Sequence, residues 1–316
     1  MKLTLEQILR NLGIPDRSFV ENQIRTYSVT SSLNNFISKD NVVGISDNLT
    51  HGVDVPIVVS LTTYSKRIFD VHLVIESIFQ QTLKPNRIIL WLDEKEFSDE
   101  SIPFVLKLQQ KRGLTIKYCK NIKSFKKLIP SLKLYPNDII ITIDDDTIYP
   151  CDLIERLIKS YQKAPKCIHY TRGALMTLDG NGQPLPYKKW NRLADYTPME
   201  KWSAFPELIK GTPLALPTGV GGVLYPPHSL HEDVMREDLF MKLCPQADDI
   251  WFKIMSYKQG TIPKLVYMEK PFSEKFLSIP GSQDIALAWK NLKNSANDPQ
   301  MKNVIDYYNI SFNAYI

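Results

Sequence analysis

Apolar residues along this chain gather in short unbroken runs, separated by polar and amphipathic stretches. The clearest run is Ile139-Ile140-Ile141-Thr142-Ile143, entered from Asn137-Asp138. A continuous isoleucine-rich run of this length reads as a strand buried on both faces. Val55-Pro56-Ile57-Val58-Val59-Ser60-Leu61, Arg87 to Leu92 and Leu114 to Cys119 read as strands in the same way. Between them the period changes to that of a helix. One such segment has Asp70 as its N-cap, Val71, Val74, Ile75, Ile78 and Phe79 on one face, and Pro85 as its stop. Another lies between Ser98 and Lys111, with Gly113 as its C-cap. Strand, helix, strand, helix, strand in this order predicts parallel strands joined by right-handed crossovers.

After the isoleucine run, Pro150 and Asp152 open a helix with Leu153, Ile154, Leu157, Ile158 and Tyr161 inward, and Pro165 ends it. Lys166 to Arg172 reads as a further strand. Leu178 to Pro206 is irregular, with Tyr187, Trp190, Tyr196 and Trp202; long loops of this kind are often functional, and these rings either stack on a ligand or pack. Thr218 to Pro227 places Gly219, Gly221 and Gly222 before an apolar strand, which suits close backbone approach to a ligand or a simple bulge. Ala247 to Met255 predicts a helix opening on Asp248-Asp249. At the N-terminus, Leu3, Ile8 and Leu9 suggest a short helix ended by Gly13 and Pro15, and Thr30 to His51 reads as loop or loosely packed extension. Residues 282–309 read as one or two helices, with Trp289 and Tyr307-Tyr308 as docking groups. The expected division is an extension over 1–54, a main domain over 55–275 (halves 55–150 and 151–275) and a helical extension over 276–316.

Composition narrows the class. The chain has 316 residues, 43% hydrophobic and 23% charged, which suits a folded globular protein with a large core. No apolar run is long enough to span a bilayer, and Met1 to Asn11 lacks a signal-peptide core. Cys119, Cys151, Cys167 and Cys244 form no closely spaced pair and read as reduced thiols of a cytoplasmic protein. The net charge of +5 is compatible with an anionic substrate or with peripheral contact at the inner face of a membrane, and does not indicate nucleic acid.

The candidate chemistry begins where the isoleucine run ends, at Asp144-Asp145-Asp146. Carboxylates are costly to bury unpaired, so the strand must leave the sheet there, and in open α/β sheets ligands bind at the carboxyl ends of strands. If the strand continued through the triplet, Asp144 and Asp146 would share one face, roughly 6.6 Å apart. Such a cluster calls for a neutralising cation, and hard divalent ions commonly join one or two carboxylates to phosphate oxygens. The plain alternative is a solvated acidic turn. Lys120, Lys123, Lys126, Lys127 and Lys133 precede it, either as a solvated helix face or as an electrostatic wall beside a diphosphate. The polar loop Thr62-Thr63-Tyr64-Ser65-Lys66-Arg67 follows the first strand. For Asp248-Asp249, helix capping needs one carboxylate and leaves the second for catalysis.

From Val55 to Tyr257 these pieces together resemble the GT-A glycosyltransferases, particularly the inverting, family-2-like bacterial enzymes that build surface polysaccharides. The resemblance rests on the Thr62-Thr63-Tyr64 loop, Asp93 at the end of the second strand, Asp144-Asp145-Asp146 at the DxD position, and Gly221-Gly222 followed by Asp248-Asp249 at the xED position. It implies a Rossmann-like, mixed and mostly parallel sheet flanked by helices. It implies a nucleotide-sugar donor, UDP-linked by preference, and a saccharide or lipid-linked saccharide acceptor. Thr62, Thr63, Tyr64, Arg67, Asp93, Lys127, Asp144, Asp145, Gly221 and Gly222 would hold the donor, with Asp93 near the base. Asp146, with Asp144, would bind Mn²⁺ or Mg²⁺. Asp249, or else Asp248, would be the general base. The chain departs from the family in reading Asp-Asp where Glu-Asp is usual, and in having no histidine after His231; His228 and His231 read as loop residues. The competing readings are a haloacid-dehalogenase-like phosphatase with Asp144 as nucleophile, and a non-catalytic carbohydrate-binding protein.

Overall fold

The computed structural model describes residues 17–37, 43–192, 206–269, 272–279 and 296–315. Leu3, Ile8, Leu9, Gly13, Pro15, Tyr196, Trp202 and Trp289, singled out above, lie outside these residues. Seven strands among the described residues form the central sheet: β1 Ile57–Thr62, β2 Arg87–Asp93, β3 Leu114–Cys119, β4 Ile139–Thr142, β5 Ile168–Tyr170, β6 Val223–Tyr225 and β7 Pro263–Leu265. Their spatial order is β7-β5-β6-β4-β1-β2-β3. β1 pairs in parallel with β2 and β4, β2 with β3, and β5 with β7. β6 runs antiparallel to β4 and β5. The sheet is therefore mixed and mostly parallel, the α/β class that the pattern predicts.

The main helices are α1 Arg17–Ile37, α2 Val71–Phe79, α3 Phe104–Gln110, α4 Ile129–Leu134, α5 Leu153–Lys163, α6 Asp248–Gln259 and α7 Asn297–Tyr308. Successive residues of a strand face opposite sides, and the core divides accordingly. Val58, Ile89 and Ile140 pack on one side with Phe125, Phe240 and Trp251. Val59, Ile88 and Ile141 pack on the other with Val74 and Ile78 of α2 and Leu157 of α5. Burial on both faces is why these strands read as unbroken apolar runs. Each fully buried isoleucine or leucine contributes about 1.5–3 kcal/mol.

Two helix ends differ from the sequence reading. Asp70 occupies the N-cap position of α2, but its side chain makes no capping bond. Gly113, with φ +112°, lies beyond the C-cap of α3, which is Lys111. A buried ion pair joins the helical layer: Arg112 donates to both carboxylate oxygens of Glu76 at 2.9 Å, and one of its nitrogens also reaches the Phe36 carbonyl at 3.4 Å. This ties α1 to α2 and to the turn after α3.

The polar member of β1, Ser60, is fully buried for a local reason. Its hydroxyl donates to the Lys127 carbonyl at 2.6 Å and lies 2.7 Å from Ser131 Oγ, which accepts the Trp91 indole N–H at 2.7 Å. The network pins the turn of 3-10 helix at Lys123–Lys127 over the end of β1. β4 stops at Thr142, and Asp145-Asp146 form a turn into the short strand Thr147–Ile148, which pairs with Leu277–Ser278. The alternating geometry of a strand running through the acids therefore does not arise.

Candidate active site

A cavity of about 600 Å³ opens at the carboxyl ends of the parallel strands. Its wall includes Thr62, Thr63, Tyr64 and Arg67 after β1, all three aspartates after β4, and Asp248 and Asp249 at the start of α6. Segments that are remote in sequence thus converge here.

The three aspartates have different partners. Asp145 is buried: its Oδ1 accepts from Arg67 Nη1 at 2.6 Å and its Oδ2 from Thr63 Oγ1 at 2.6 Å. Burial pushes its pKa up to about 6, against the pull of Arg67 and the Thr63 bond. The other Arg67 terminal nitrogen lies 3.1 Å from Asp146 Oδ2, so one guanidinium spans both carboxylates. Asp144 faces Lys127 instead, accepting its ammonium at 2.8 Å on Oδ1, while its own N–H donates to the buried Tyr149 hydroxyl at 2.8 Å.

Lys127 links the two acidic motifs. Its buried Nζ lies 2.8 Å from Asp144, 2.9 Å from Asp248 Oδ2 and 3.9 Å from Asp249 Oδ1. Burial disfavours its charge, but Asp144, Asp248 and Asp249 outweigh that and hold its pKa well above the ordinary lysine value. Of the lysine run, Lys126 and Lys127 are buried side chains on the cavity wall, not a solvated face. Asp249 is 30% exposed at the side chain, and its Oδ1 accepts the Gly219 N–H at 3.2 Å. Removal from water raises its pKa, opposed by Lys127 and reinforced by Asp248. Ala247, not an aspartate, sits at the N-cap of α6.

The glycine cluster contributes through a different member from the two singled out by the resemblance. A Cβ at Gly219 would stand 2.3 Å from Lys127 Nζ and 2.8 Å from Asp144 Oδ1. Gly221 and Gly222 lie behind the wall, which is formed by Thr218 and Val220. Gly221 packs against Arg172, and Gly222 takes φ +83° beside Leu153. Asp93 is buried off the cavity and its Oδ1 accepts the Lys95 N–H at 2.9 Å. His228 contacts Asn137, and His231 caps the turn at Asp233, so neither enters the site. Trp190 is packed, its indole N–H donating to the Leu185 carbonyl at 2.6 Å. Glu96, Asn121, Ser124, Arg172 and Phe272 also line the cavity. They are isolated residues in loops or at element ends, without a periodic or clustered signal to mark them.

The residues present suit a divalent ion of one kind. Among the described residues no three histidine, cysteine or carboxylate side chains converge as a metal cage. Asp144 and Asp146 are hard oxygen donors on the cavity wall, and Asp145 is committed to Arg67 and Thr63. That set fits Mg²⁺ or Mn²⁺ completed by phosphate oxygens and water.

No family profile and no curated protein sequence matches this chain. Several solved structures resemble it. One is the mannosyltransferase PcManGT from Pyrobaculum calidifontis in complex with GDP-Man and Mn²⁺, at 12% identity and TM-score 0.48, covering 91% of this chain and 74% of that one. Another is TarS from S. aureus, at 14% identity and TM-score 0.43, covering 71% of this chain and 60% of that one. A third is 4-diphosphocytidyl-2C-methyl-D-erythritol synthase, at 12% identity and TM-score 0.43, covering 76% of this chain and all of that one. Likenesses this distant do not assign an activity, which rests on the site itself.

Proposed function

We propose that this chain is a metal-dependent glycosyltransferase that moves a sugar from a nucleoside-diphosphate sugar to a hydroxyl of a saccharide or lipid-linked saccharide. The observation that carries this reading is the convergence of the acidic turn after β4, the Lys127 cation and the Asp248-Asp249 pair on one cavity. Asp144 and Asp146 would hold the divalent ion against the donor diphosphate. When bound, that ion supplies Lewis-acid stabilisation of the charge developing on the leaving nucleotide. Arg67 holds Asp145 and Asp146 in place from one side, and Lys127 holds Asp144 and Asp248 from the other.

Asp249 is the better base of the pair. Asp248 is nearly buried against Lys127, while Asp249 is more exposed to the cavity and has one oxygen fixed by Gly219. In the reaction the acceptor oxygen attacks the anomeric carbon, its proton passes to Asp249, and the bond to the diphosphate breaks with its electron pair leaving on the nucleotide. Attack from the face opposite the leaving group inverts the anomeric carbon. An acceptor in cell-surface polysaccharide synthesis, reached by peripheral contact with the inner face of the membrane, agrees with the net charge of +5. No helix among the described residues is long and apolar enough to cross a membrane. The phosphatase alternative is less well supported, because Asp144 is tied to Lys127 and follows the fourth strand of the sheet in chain order.

The test is transfer itself: release of nucleoside diphosphate from UDP- and GDP-sugars with Mn²⁺, with and without saccharide acceptors. Metal-dependent release that rises with acceptor supports the reading. Phosphate release from simple phosphoesters, without nucleotide-sugar turnover, would overturn it.

A further inference from the structure

The acidic turn after β4 is held through its main chain as well as through its side chains. Arg67 and Lys127 take the carboxylates, but the backbone is fixed by other residues. The Asp144 N–H donates to the Tyr149 hydroxyl at 2.8 Å. The Asp146 carbonyl accepts the Ile279 N–H at 2.9 Å. These are the two aspartates proposed to hold the divalent ion, whereas Asp145 between them is held at its carboxylate by Arg67 and Thr63.

Tyr149 is buried, and a phenylalanine would fill the same space. A buried tyrosine hydroxyl needs a hydrogen-bond partner, and this one takes the Asp144 main chain, closing the turn on itself. The ring is fixed in its turn. The Tyr149 backbone N–H donates to Ser77 Oγ of α2 at 3.2 Å, and Phe276 meets the ring edge-on, with centroids 5.8 Å apart at 88°.

Phe276 belongs to the segment Phe272–Ile279, far along the chain from the turn. Leu277 and Ser278 pair antiparallel with Ile148 and Thr147, and Phe276, Leu277 and Ile279 are buried. Phe276 also stacks on Phe272, with centroids 4.3 Å apart and planes 8° from parallel. Phe272 lines the cavity, its ring 4.9 Å from the Arg172 guanidinium. Lys275 ties the segment to Asp152, just before α5, at 3.3 Å. The segment lies beyond Tyr257, where the family resemblance ends. It bonds Asp146 directly and steadies the bond to Asp144 through Tyr149.

Two carboxylates that share one small divalent ion must keep a narrow range of separations. Adjacent aspartates repel one another, and here Lys127 and Arg67 draw Asp144 and Asp146 toward different cations. The main-chain anchors keep the origins of both side chains fixed whichever partner the carboxylates take. We infer that Tyr149 is a positioning residue for the metal-binding aspartates, and that the segment Phe272–Ile279 holds it and the turn at the spacing the ion requires. This inference rests on the proposed metal-dependent transferase reading and adds the residues that set its metal affinity.

The experiment is calorimetric titration of UDP and GDP into the full chain, without Mn²⁺ and at a series of Mn²⁺ concentrations. In Tyr149→Phe, which removes one oxygen and keeps the ring, the Mn²⁺ concentration giving half of the metal-dependent gain should rise by about 10–100-fold, the usual effect of losing a group that orients a ligand. Nucleotide affinity without metal should stay within about twofold. Phe276→Leu should move the half-point in the same direction by a smaller factor. Glu76→Ala, which weakens the fold away from the turn, should leave it within about twofold. A folded Tyr149→Phe chain with the wild-type half-point would overturn the inference and leave the transferase reading in place. Equal weakening of nucleotide with and without metal, or an equal shift in Glu76→Ala, would also count against it, as general loosening of the pocket. If Tyr149→Phe does not fold, Phe276→Leu decides, and a wild-type half-point there refutes the positioning role. Nucleotide binding by the wild type that ignores Mn²⁺ would overturn the metal-dependent reading itself, and this inference with it.

Discussion

Lys127 Nζ lies 2.9 Å from Asp248 Oδ2, although the two residues are remote in sequence. The same ammonium holds Asp144 at 2.8 Å, so a single buried cation couples the acidic turn after β4 to the acidic start of α6. Ser60 fixes the main chain of that lysine from inside the sheet. The arrangement gives each carboxylate a distinct set of partners, and the task proposed for each can be tested.

Asp249→Asn removes the proposed base without removing volume. The rate of sugar transfer should fall by about 10²–10⁴-fold, the usual range for a positioned base. Nucleotide affinity measured by calorimetry should be unchanged. A fully active variant would move the role to Asp248.

The acidity of Asp249 gives this base a signature in pH. Its pKa is raised above the ordinary aspartate value of ~4, so it protonates at a higher pH than an exposed aspartate does. As pH falls through that raised value the base is lost, and kcat/KM should fall with it on the acid side. A profile from pH 4 to 9 should show the acid limb well above 4. An acid limb at the ordinary carboxylate value would disconnect Asp249 from the rate.

Lys127→Met leaves Asp144, Asp248 and Asp249 facing one another without a cation. Removing one partner of a buried ion pair costs about 3–5 kcal/mol, and the partial exposure of Asp144 and Asp249 places this case at or below the lower figure. Chemical denaturation should show the loss at pH 7–8. The loss should shrink as pH is lowered, because Asp249, whose pKa is raised by burial, then becomes neutral.

Gly219→Ala places a methyl group 2.3 Å from Lys127 Nζ. The ammonium must move away from Asp144 or from the Asp248-Asp249 pair. Transfer should fall about tenfold or more through misplacement of the catalytic groups, while stability changes by about 1–3 kcal/mol. Gly221→Ala should cost stability mainly, since the added carbon meets Arg172 Cβ at 2.5 Å and the Arg172 backbone nitrogen and Thr171 Oγ1 at 2.8 Å.

Glu76→Ala tests the scaffold separately from the site. It leaves the buried guanidinium of Arg112 without its carboxylate and should destabilise the fold by about 3–5 kcal/mol in urea titration.

Much of this architecture is legible in the sequence for physical reasons. β1, β2 and β4 are buried on both faces, so they appear as apolar runs, while the edge strand β3 is mostly half-buried; α2 shows its inward face through Val71, Val74, Ile75, Ile78 and Phe79. The acidic turn is legible because three aspartates directly after a buried strand need a reason to be there. Its geometry is not, because Arg67 and Lys127, which divide the aspartates between them, come from other parts of the chain. The lysine run could be read as solvated or functional because the Ser60–Ser131–Trp91 network that fixes the Lys127 backbone comes from distant parts of the chain. Gly219 resembles its neighbours Gly221 and Gly222 in sequence; only the approach of Lys127 distinguishes it.

The most direct test of the central claim is a calorimetric titration of UDP and GDP into the wild-type chain and Asp146→Ala, each with and without Mn²⁺. The account predicts that one nucleotide binds the wild type in a metal-dependent way, and that Asp146→Ala remains folded but loses the metal dependence. Binding of neither nucleotide, or identical metal-dependent binding by the variant, would contradict a metal-assisted nucleotide site at this turn.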